Sequence, residues 1–239
     1  PPLPMNILRN TAIFQAAIVI CLFFLVPSPL LQQSSPPPER ITVTAALNLF
    51  KDGTLPRTTQ TLAGAERQPL NLLILGSRKC LQQGLERAGW SQSDAISASA
   101  TLRLLKSVIL REEYASAPFA PAFYNSAPHA YGYARTVNER ELRPHLHLRA
   151  WETDYDTYVG RLFTATVSYD TRTRWGISHS IDPSIDTQRN NLLRDLLRAG
   201  AVSSYQLLPF TPRIPDEIEA GTAYRTDGKN AFIILNPCS

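Results

Sequence analysis

The chain contains few of the residues that mark metal-binding or redox proteins. Among its 239 residues are only three cysteines, Cys21, Cys80 and Cys238, and no two of them form a C-x-x-C pair. This absence argues against a zinc ribbon and against a thioredoxin-like redox motif. A disulfide between Cys80 and Cys238 is conceivable in an oxidising compartment, but a cysteine inside a predicted helix is more often a buried small apolar residue.

An excess of charge of one sign is also missing. Lys and Arg total 24 against 20 Asp and Glu, which gives a formal net charge of +4, and the basic residues form no long run. Nucleic-acid-binding proteins usually carry a concentrated basic stripe. Nucleic acid is therefore not an expected partner.

The sequence signatures of several common enzyme classes are missing as well. The chain has no G-x-S-x-G, no G-x-x-x-x-G-K-[ST] and no dinucleotide-binding fingerprint. These motifs position a nucleophile or cradle phosphates, and their absence removes the simplest routes to catalysis. We predict no cofactor and no metal ion.

One segment near the amino terminus has no charge at all. Residues 11–31 read "TAIFQAAIVICLFFLVPSPLL". About 20 apolar residues in a helix span about 30 Å, the thickness of the hydrocarbon core of a bilayer. We therefore predict one transmembrane helix, which contacts the bilayer through residues 7–31 and belongs to a single-pass anchor at residues 1–35.

The orientation of this span depends on one charge. Arg9 is the only charged residue before it, and the positive-inside tendency places that residue in the cytoplasm. A cleaved signal peptide starting at Met5 is the alternative, but the exit from the span offers no A-x-A site and contains Pro27 and Pro29. We expect a protein of the bacterial cytoplasmic membrane with its soluble domain on the periplasmic side.

The remainder of the chain divides into a linker and a domain. Residues 36–67 are rich in proline and threonine and are interpreted as a linker that can dock as a short strand or helix. Residues 68–239 contain both strand and helix patterns. The predicted strands are "LNLLILG", "HLHLRAW", "RLFTATVSYD", "VSSYQLLPF" and "NAFIILN". The predicted helices are one capped by Ser77, "SATLRLLKSVILREE" and "DPSIDTQRNNLLRDLLRAG". This order predicts an α+β domain with a mixed, largely antiparallel sheet and about three helices, preceded by the transmembrane helix.

The stretch "RPHLHLRAW" supplies the main candidate site. Alternate residues of a strand share a face, so four side chains would project together: His145, His147, Arg149 and Trp151. The simplest interpretation is the polar face of a sheet that is covered on one side only. The row can also form an anion- or ligand-binding groove, or hold a metal or an acid–base pair if Asp170 or His179 supplies a further group.

The helix start "SIDPSID" places Asp182 and Asp186 four residues apart. Paired carboxylates can perform acid–base chemistry. Capping of the helix by Asp182 and attraction of Asp186 to the positive helix end explain both acids more simply. Arg189 can bridge to Asp186, and we include it among the candidate binding residues.

Five motifs occur in the order found in the LssY carboxy-terminal domain family, which the chain resembles over residues 68–236. They are "PLNLLILGS", "GLERAGW", "HLHLRAW", "SHSIDPSIDTQRNNLLRDL" and "YRTDGKNAFIIL". The domain of that family is often attached to membrane-embedded phosphatases of the phosphatidic-acid type, whose P-S-G-H and S-R-x5-H-x3-D patterns this chain lacks. The resemblance thus implies an envelope location and an accessory role, and it transfers no catalytic residue.

We therefore expect an accessory, non-catalytic subunit that binds an integral membrane-protein complex or another envelope component. Its candidate binding residues are His147, Arg149, Trp151 and Arg189. The alternative is an envelope hydrolase acting on phosphate esters, whose candidate catalytic residues are His145, His147, Asp170 and Asp182. Convergence of three of these side chains in an open pocket would favour the enzyme, and their burial would favour the accessory subunit.

Overall fold

The computed structural model describes six ranges of the chain, without the side chains of residues 171–174 and 178–180: residues 39–61, 63–94, 122–136, 146–174, 178–211 and 224–238. The predicted transmembrane segment, the helix expected at residues 99–113 and His145 all lie outside these ranges. Within them, no helix is both long enough and apolar enough to cross a membrane.

The described residues form three helices and thirteen strands. The helices are α1 (Val43–Lys51), α2 (Arg78–Arg87) and α3 (Ile185–Arg198). The strands are β1 (Glu39–Arg40), β2 (Thr58–Gln60), β3 (Glu66–Pro69), β4 (Leu72–Gly76), β5 (Ser91–Gln92), β6 (Phe123–Tyr124), β7 (Ala127–Pro128), β8 (Tyr131–Arg135), β9 (Leu146–Asp156), β10 (Arg161–Arg174), β11 (Ser178–Ile181), β12 (Val202–Pro209) and β13 (Lys229–Leu235).

The strands form one large and one small sheet. The large sheet has the order β12-β13-β4-β10-β9-β8-β5, with β1 added on β9 and β11 added on β10. The small sheet has the order β3-β2-β6-β7. Only the β4–β13 and β1–β9 pairs among these strands are parallel. The predicted α+β class, with a mixed and largely antiparallel sheet and three helices in the described part, is confirmed.

The helix signals in the sequence are partly confirmed. Ser77 caps α2 by accepting a hydrogen bond from the backbone N–H of Cys80 at 3.1 Å. The prediction that Asp182 caps α3 is wrong, because this helix begins at Ile185, three residues later. The carboxylate of Asp182 instead accepts from the N–H of Ser184 at 2.8 Å, a local turn that aspartate commonly forms and that competes with a helix cap.

Both faces of the large sheet are buried. On one face, Leu148, Ala165 and Ile233 pack with residues of α2 and α3. On the other face, α1 contributes Phe50 to a cluster with Leu73. The expectation of an open polar face is therefore wrong, since the segments that cover this face come from parts of the chain distant from β9 and β10.

Part of the predicted linker is built into the fold. β1 pairs with the end of β9, and α1 buries Ala46 and Phe50 against the sheet. Docking as a short strand or helix, which the sequence left open, occurs for both elements. This segment supplies much of the apolar cover of the second face.

A disulfide joins Cys80 in α2 to Cys238 after β13. Cys80 is also buried in the apolar core between the helices and the sheet. Cys80 is therefore both a disulfide partner and a buried apolar residue, the two roles that the sequence analysis considered for it. The bond fastens the last described residues of the chain to the start of α2.

Candidate functional site

Pairing between β9 and β10 assembles the polar row predicted from the sequence. His147 lies opposite Ser168, Arg149 opposite Thr166, and Trp151 opposite Thr164. Because the side chains on each strand alternate between the two faces, all six groups are on the same face of the sheet. Strand periodicity identified the β9 members, and the alternating "FTATVS" pattern of β10 contained the signal for the hydroxyl groups opposite them.

The imidazole of His147 contacts the carboxylate of Asp170. Its Nε2 lies 3.2 Å from a carboxylate oxygen of Asp170, and the two side chains are only 8% and 11% exposed. Arg149, two residues along the strand, is half-buried. Burial lowers the pKa of its guanidinium, while the nearby Asp170 and Tyr224 oppose that shift. The structure therefore brings together three of the predicted groups, His147, Arg149 and Asp170.

Aromatic residues close one end of this cluster. The indole N–H of Trp151 donates to the carbonyl of Ala127 at 3.1 Å. Its ring is edge-on to His129 at 6.3 Å and tilted against Tyr124 at 5.9 Å between centroids. Burial, and then the charge of Arg149, lower the pKa of His129 to about 4. The imidazole of His129 is thus neutral at pH 7 and belongs to the cover of the cluster.

The serine beside His147 is not arranged as an activated nucleophile. Ser168 is fully buried, and its hydroxyl has no hydrogen-bond partner among the described residues. A serine nucleophile needs a hydrogen bond to its base and access to substrate. His147, Asp170 and Ser168 share one face of the sheet without meeting either requirement in this structure.

Asp182 lies apart from this cluster. It lines a cleft together with Leu146 and Tyr169, whose side chains belong to the helix-covered face of the sheet. His147 and Asp170 project from the opposite face. The four-residue catalytic set of the hydrolase alternative is therefore not assembled by the described residues.

Arg189 is occupied by contacts within the fold. Its side chain is 1% exposed and forms a two-pronged ion pair with Asp227 at 2.8 and 3.1 Å. It also donates to Asp186 at 3.1 Å and to the carbonyl of Lys229 at 2.5 Å. The predicted bridge to Asp186 is present. These contacts hold the start of α3 against the turn that precedes β13.

The described residues contain no group of three or more His, Cys, Asp or Glu side chains positioned to hold a metal ion. His145 lies outside the described residues, and the side chain of His179 is not described. Within the described part, the row can supply hydrogen bonds and charge in a largely enclosed space.

The model of the LssY C-terminus family matches residues 53–229. That range contains α2, α3 and the paired strands β9 and β10. It begins before the segment in which the motifs were recognised, so the family pattern includes part of the region that packs on the second face of the sheet. No curated protein matches the chain, and no solved structure matches it.

Proposed function

The chain belongs to the LssY C-terminus family, and from this premise we propose that it is a membrane-anchored accessory subunit. Its domain binds a protein of the bacterial envelope on the periplasmic side of the cytoplasmic membrane and catalyses no reaction. The anchor is the uncharged segment at residues 11–31. The partner is an extended segment of an integral membrane-protein complex.

The observation that carries the proposal is the burial of His147 and Asp170. Their side chains are about nine-tenths buried, and the hydroxyl-bearing residues opposite the row, Thr164, Thr166 and Ser168, are fully buried. A hydrolytic site has to admit both substrate and water. Polar residues that are enclosed in this way serve the fold and leave recognition to the outer surface.

The outer surface offers an exposed edge strand. β12 contains no charged residue, and it pairs with β13 alone among the described strands. Tyr205 and Leu207 remain 46% and 39% exposed. Proteins usually protect an edge strand with charge, because its free backbone groups can pair with another chain. An uncharged extended segment of the partner would add to β12 as a further strand, with Tyr205 and Leu207 contacting its side chains.

The disulfide supports the proposed compartment. Cys80 and Cys238 are bonded, and disulfides persist in the periplasm but are rare in the cytoplasm. This agrees with the orientation expected from Arg9. The proposed location therefore has support from the folded domain that does not depend on the amino-terminal segment.

Site-directed photo-crosslinking in cells would test the proposed interface. Tyr205 is replaced by p-benzoylphenylalanine in the full chain, and the matched control carries the same group at Tyr158, which is 83% exposed on the turn before β10. We expect one discrete adduct with an envelope protein from position 205, and we expect the added variant Leu207→Lys to abolish it. Equal adducts from both positions, or none from position 205, would contradict the proposed interface.

The hydrolase alternative has its own test. The purified full chain is incubated with a phosphate monoester, and phosphate release is compared with that of the variant His147→Asn. We expect no release above the buffer rate for either protein. Release by the wild-type chain that His147→Asn abolishes would show that the buried row becomes accessible and acts on substrate, and it would exclude the non-catalytic function.

A further inference from the structure

A polar cleft lies beside α3, on the helix-covered face of the large sheet. It has a volume of about 380 Å³, within the range typical of small-molecule sites. The cleft is separate from the row around His147, which projects from the other face. Its lining residues are Arg135, Leu146, Tyr169, Asp182, Gln188, Asn191, Arg194, Asp195 and Arg198.

The floor of the cleft consists of three neighbouring residues, one from each of three adjacent strands of the sheet. Strand register places Arg135 beside Leu146, and Leu146 beside Tyr169, on β8, β9 and β10. The wall is a stripe of α3 whose members recur every three or four residues, the spacing of one helix face. The stripe consists of Gln188, Asn191, Asp195 and Arg198. Rigid elements therefore hold both sides of the cleft.

The cleft has more positive than negative groups. Arg135 is paired with Asp195. Arg194 donates to the side-chain oxygen of Asn191 at 3.1 Å, and neither Arg194 nor Arg198 forms an ion pair with a described carboxylate. Two guanidinium groups at one cleft thus lack a counter-charge among the described residues.

A buried amide faces the same space. Gln188 is 7% exposed, and its side-chain oxygen is within 3.4 Å of the side-chain nitrogen of Asn191. Its own NH₂ group makes no hydrogen bond to a described residue. This nitrogen is not one of the fully enclosed polar atoms without a partner, so the free donor of a largely buried side chain opens onto the cleft and can give its hydrogen bonds to a ligand. A solvated helix face would explain Arg194 and Arg198, but it would not explain why the largely buried side chain of Gln188 keeps a free donor at the cleft.

From this arrangement we propose that the cleft binds a small molecule that carries an oxyanion, either phosphate or carboxylate. Guanidinium groups recognise both anions through paired N–H donors. Arg194 and Arg198 would contact the anionic oxygens, the amide of Gln188 would donate to them, and Leu146 would support the uncharged part of the ligand. This binding site is additional to the proposed protein interface on β12.

Isothermal titration of the full chain in detergent would test the cleft with three probes. Inorganic phosphate represents the free ion, glycerol 3-phosphate an esterified phosphate, and succinate a carboxylate. We expect saturable binding of at least one probe, and the preferred probe identifies the anion. Absence of binding by all three at millimolar concentration would overturn the proposal.

Two charge variants separate a binding role from a structural one. Replacing both cleft arginines, Arg194→Gln with Arg198→Gln, should weaken binding by at least about tenfold. Asp182→Asn should strengthen it a few-fold, because a negative lining group is removed while asparagine still accepts from the N–H of Ser184. The matched control is Arg87→Gln, an exposed helical arginine outside the cleft. Binding that the double variant leaves unchanged, or that the control lowers equally, would place the anion elsewhere.

Discussion

The imidazole of His147 lies 3.2 Å from the carboxylate of Asp170 inside the large sheet. The two residues come from adjacent strands, since His147 lies opposite Ser168 and Asp170 is two positions further along β10. Arg149 adds positive charge on the same face. The negative charge of Asp170 raises the pKa of its guanidinium and so opposes the lowering by burial. The cluster therefore links two central strands through charge at a place where most sheets would use apolar packing.

Asp170→Asn tests the structural role of this cluster. Asp170 is the carboxylate that interacts with the guanidinium of Arg149 and contacts His147. Removing one member of a buried charge pair leaves the other charge without compensation and typically costs about 3–5 kcal/mol. Because asparagine keeps a hydrogen-bonding oxygen, we expect the free energy of unfolding in urea to fall by about 2–3 kcal/mol.

The matched control for Asp170 is Asp154→Asn, since Asp154 is an exposed aspartate on β9. A surface substitution of this kind should change stability by less than about 0.5 kcal/mol. An Asp170→Asn protein as stable as the wild type would mean that the pair is not needed for folding. The buried charges of this cluster would then not be serving the fold.

The contacts of Arg189 give a second prediction. Burial alone would raise the pKa of Asp227, but hydrogen bonds from Arg189 and from the N–H of Lys229 outweigh burial and lower it. Arg189→Met would remove the guanidinium and leave the carboxylate of Asp227 without its cationic partner. We expect it to lower the free energy of unfolding by about 3–5 kcal/mol. Arg189→Lys should recover little of the loss, because an ammonium group cannot form the two-pronged contact.

A double-mutant cycle would attribute this loss to the Arg189–Asp227 pair. Arg189→Met, Asp227→Asn and the combined variant are compared by urea denaturation. Residues in one ion-pair network usually show interaction energies of about 0.5–3 kcal/mol. Additive effects of the two substitutions would assign the loss to packing of the long Arg189 side chain.

Much of the sheet could be predicted from local patterns. The alternation in "HLHLRAW" and "RLFTATVSYD" identified β9 and β10 and assigned their side chains to the correct faces. Ser77 and the apolar stripe after it located α2. These predictions succeed because strand and helix periods are determined within a few residues of chain.

The enclosure of the candidate site could not be predicted in this way. The carbonyl of Pro69 accepts from the hydroxyl of Thr166 at 3.2 Å, across a separation of 97 residues. Asn71 accepts from the backbone N–H of Val167 and donates to its carbonyl, each at 3.0 Å. The polarity of β10 suggested water on this face, whereas distant backbone groups and α1 cover it. Only the tertiary fold brings these segments together.

The disulfide gives a prediction about both stability and location. The Cys80–Cys238 bond closes a loop with a sequence separation of 158, for which the chain-entropy estimate is about 5 kcal/mol. We expect Cys80→Ser with Cys238→Ser to lower the free energy of unfolding by several kcal/mol. Thiol alkylation and mass spectrometry of the full chain purified from cells without reductant should show both cysteines protected until a reductant is added. Two freely alkylated thiols at these positions would argue against an oxidising compartment.

The neutral imidazole of His129 makes stability depend on pH. Its pKa in the folded protein is about 4, against an ordinary value of 6.5, because burial and then Arg149 disfavour the charged form. Between these two pH values the unfolded chain binds a proton that the folded chain does not. The free energy of unfolding should therefore fall as the pH is lowered from about 6.5 to about 4. We expect a contribution on the order of 2 kcal/mol, after allowance for partial solvent screening.

His129→Phe isolates this contribution from those of the carboxylates elsewhere in the protein that titrate in the same pH range. Phenylalanine keeps a ring edge-on to Trp151 and cannot bind a proton, so the variant should lose less stability than the wild type over the same pH interval. The backbone hydrogen bond from residue 129 to Ala122 is unaffected by the substitution. An NMR titration reads the imidazole directly and should find His129 still neutral at pH 5. If the ring instead titrates near 6.5, the cover over Arg149 admits water, and the space around His147 is open enough to receive a ligand.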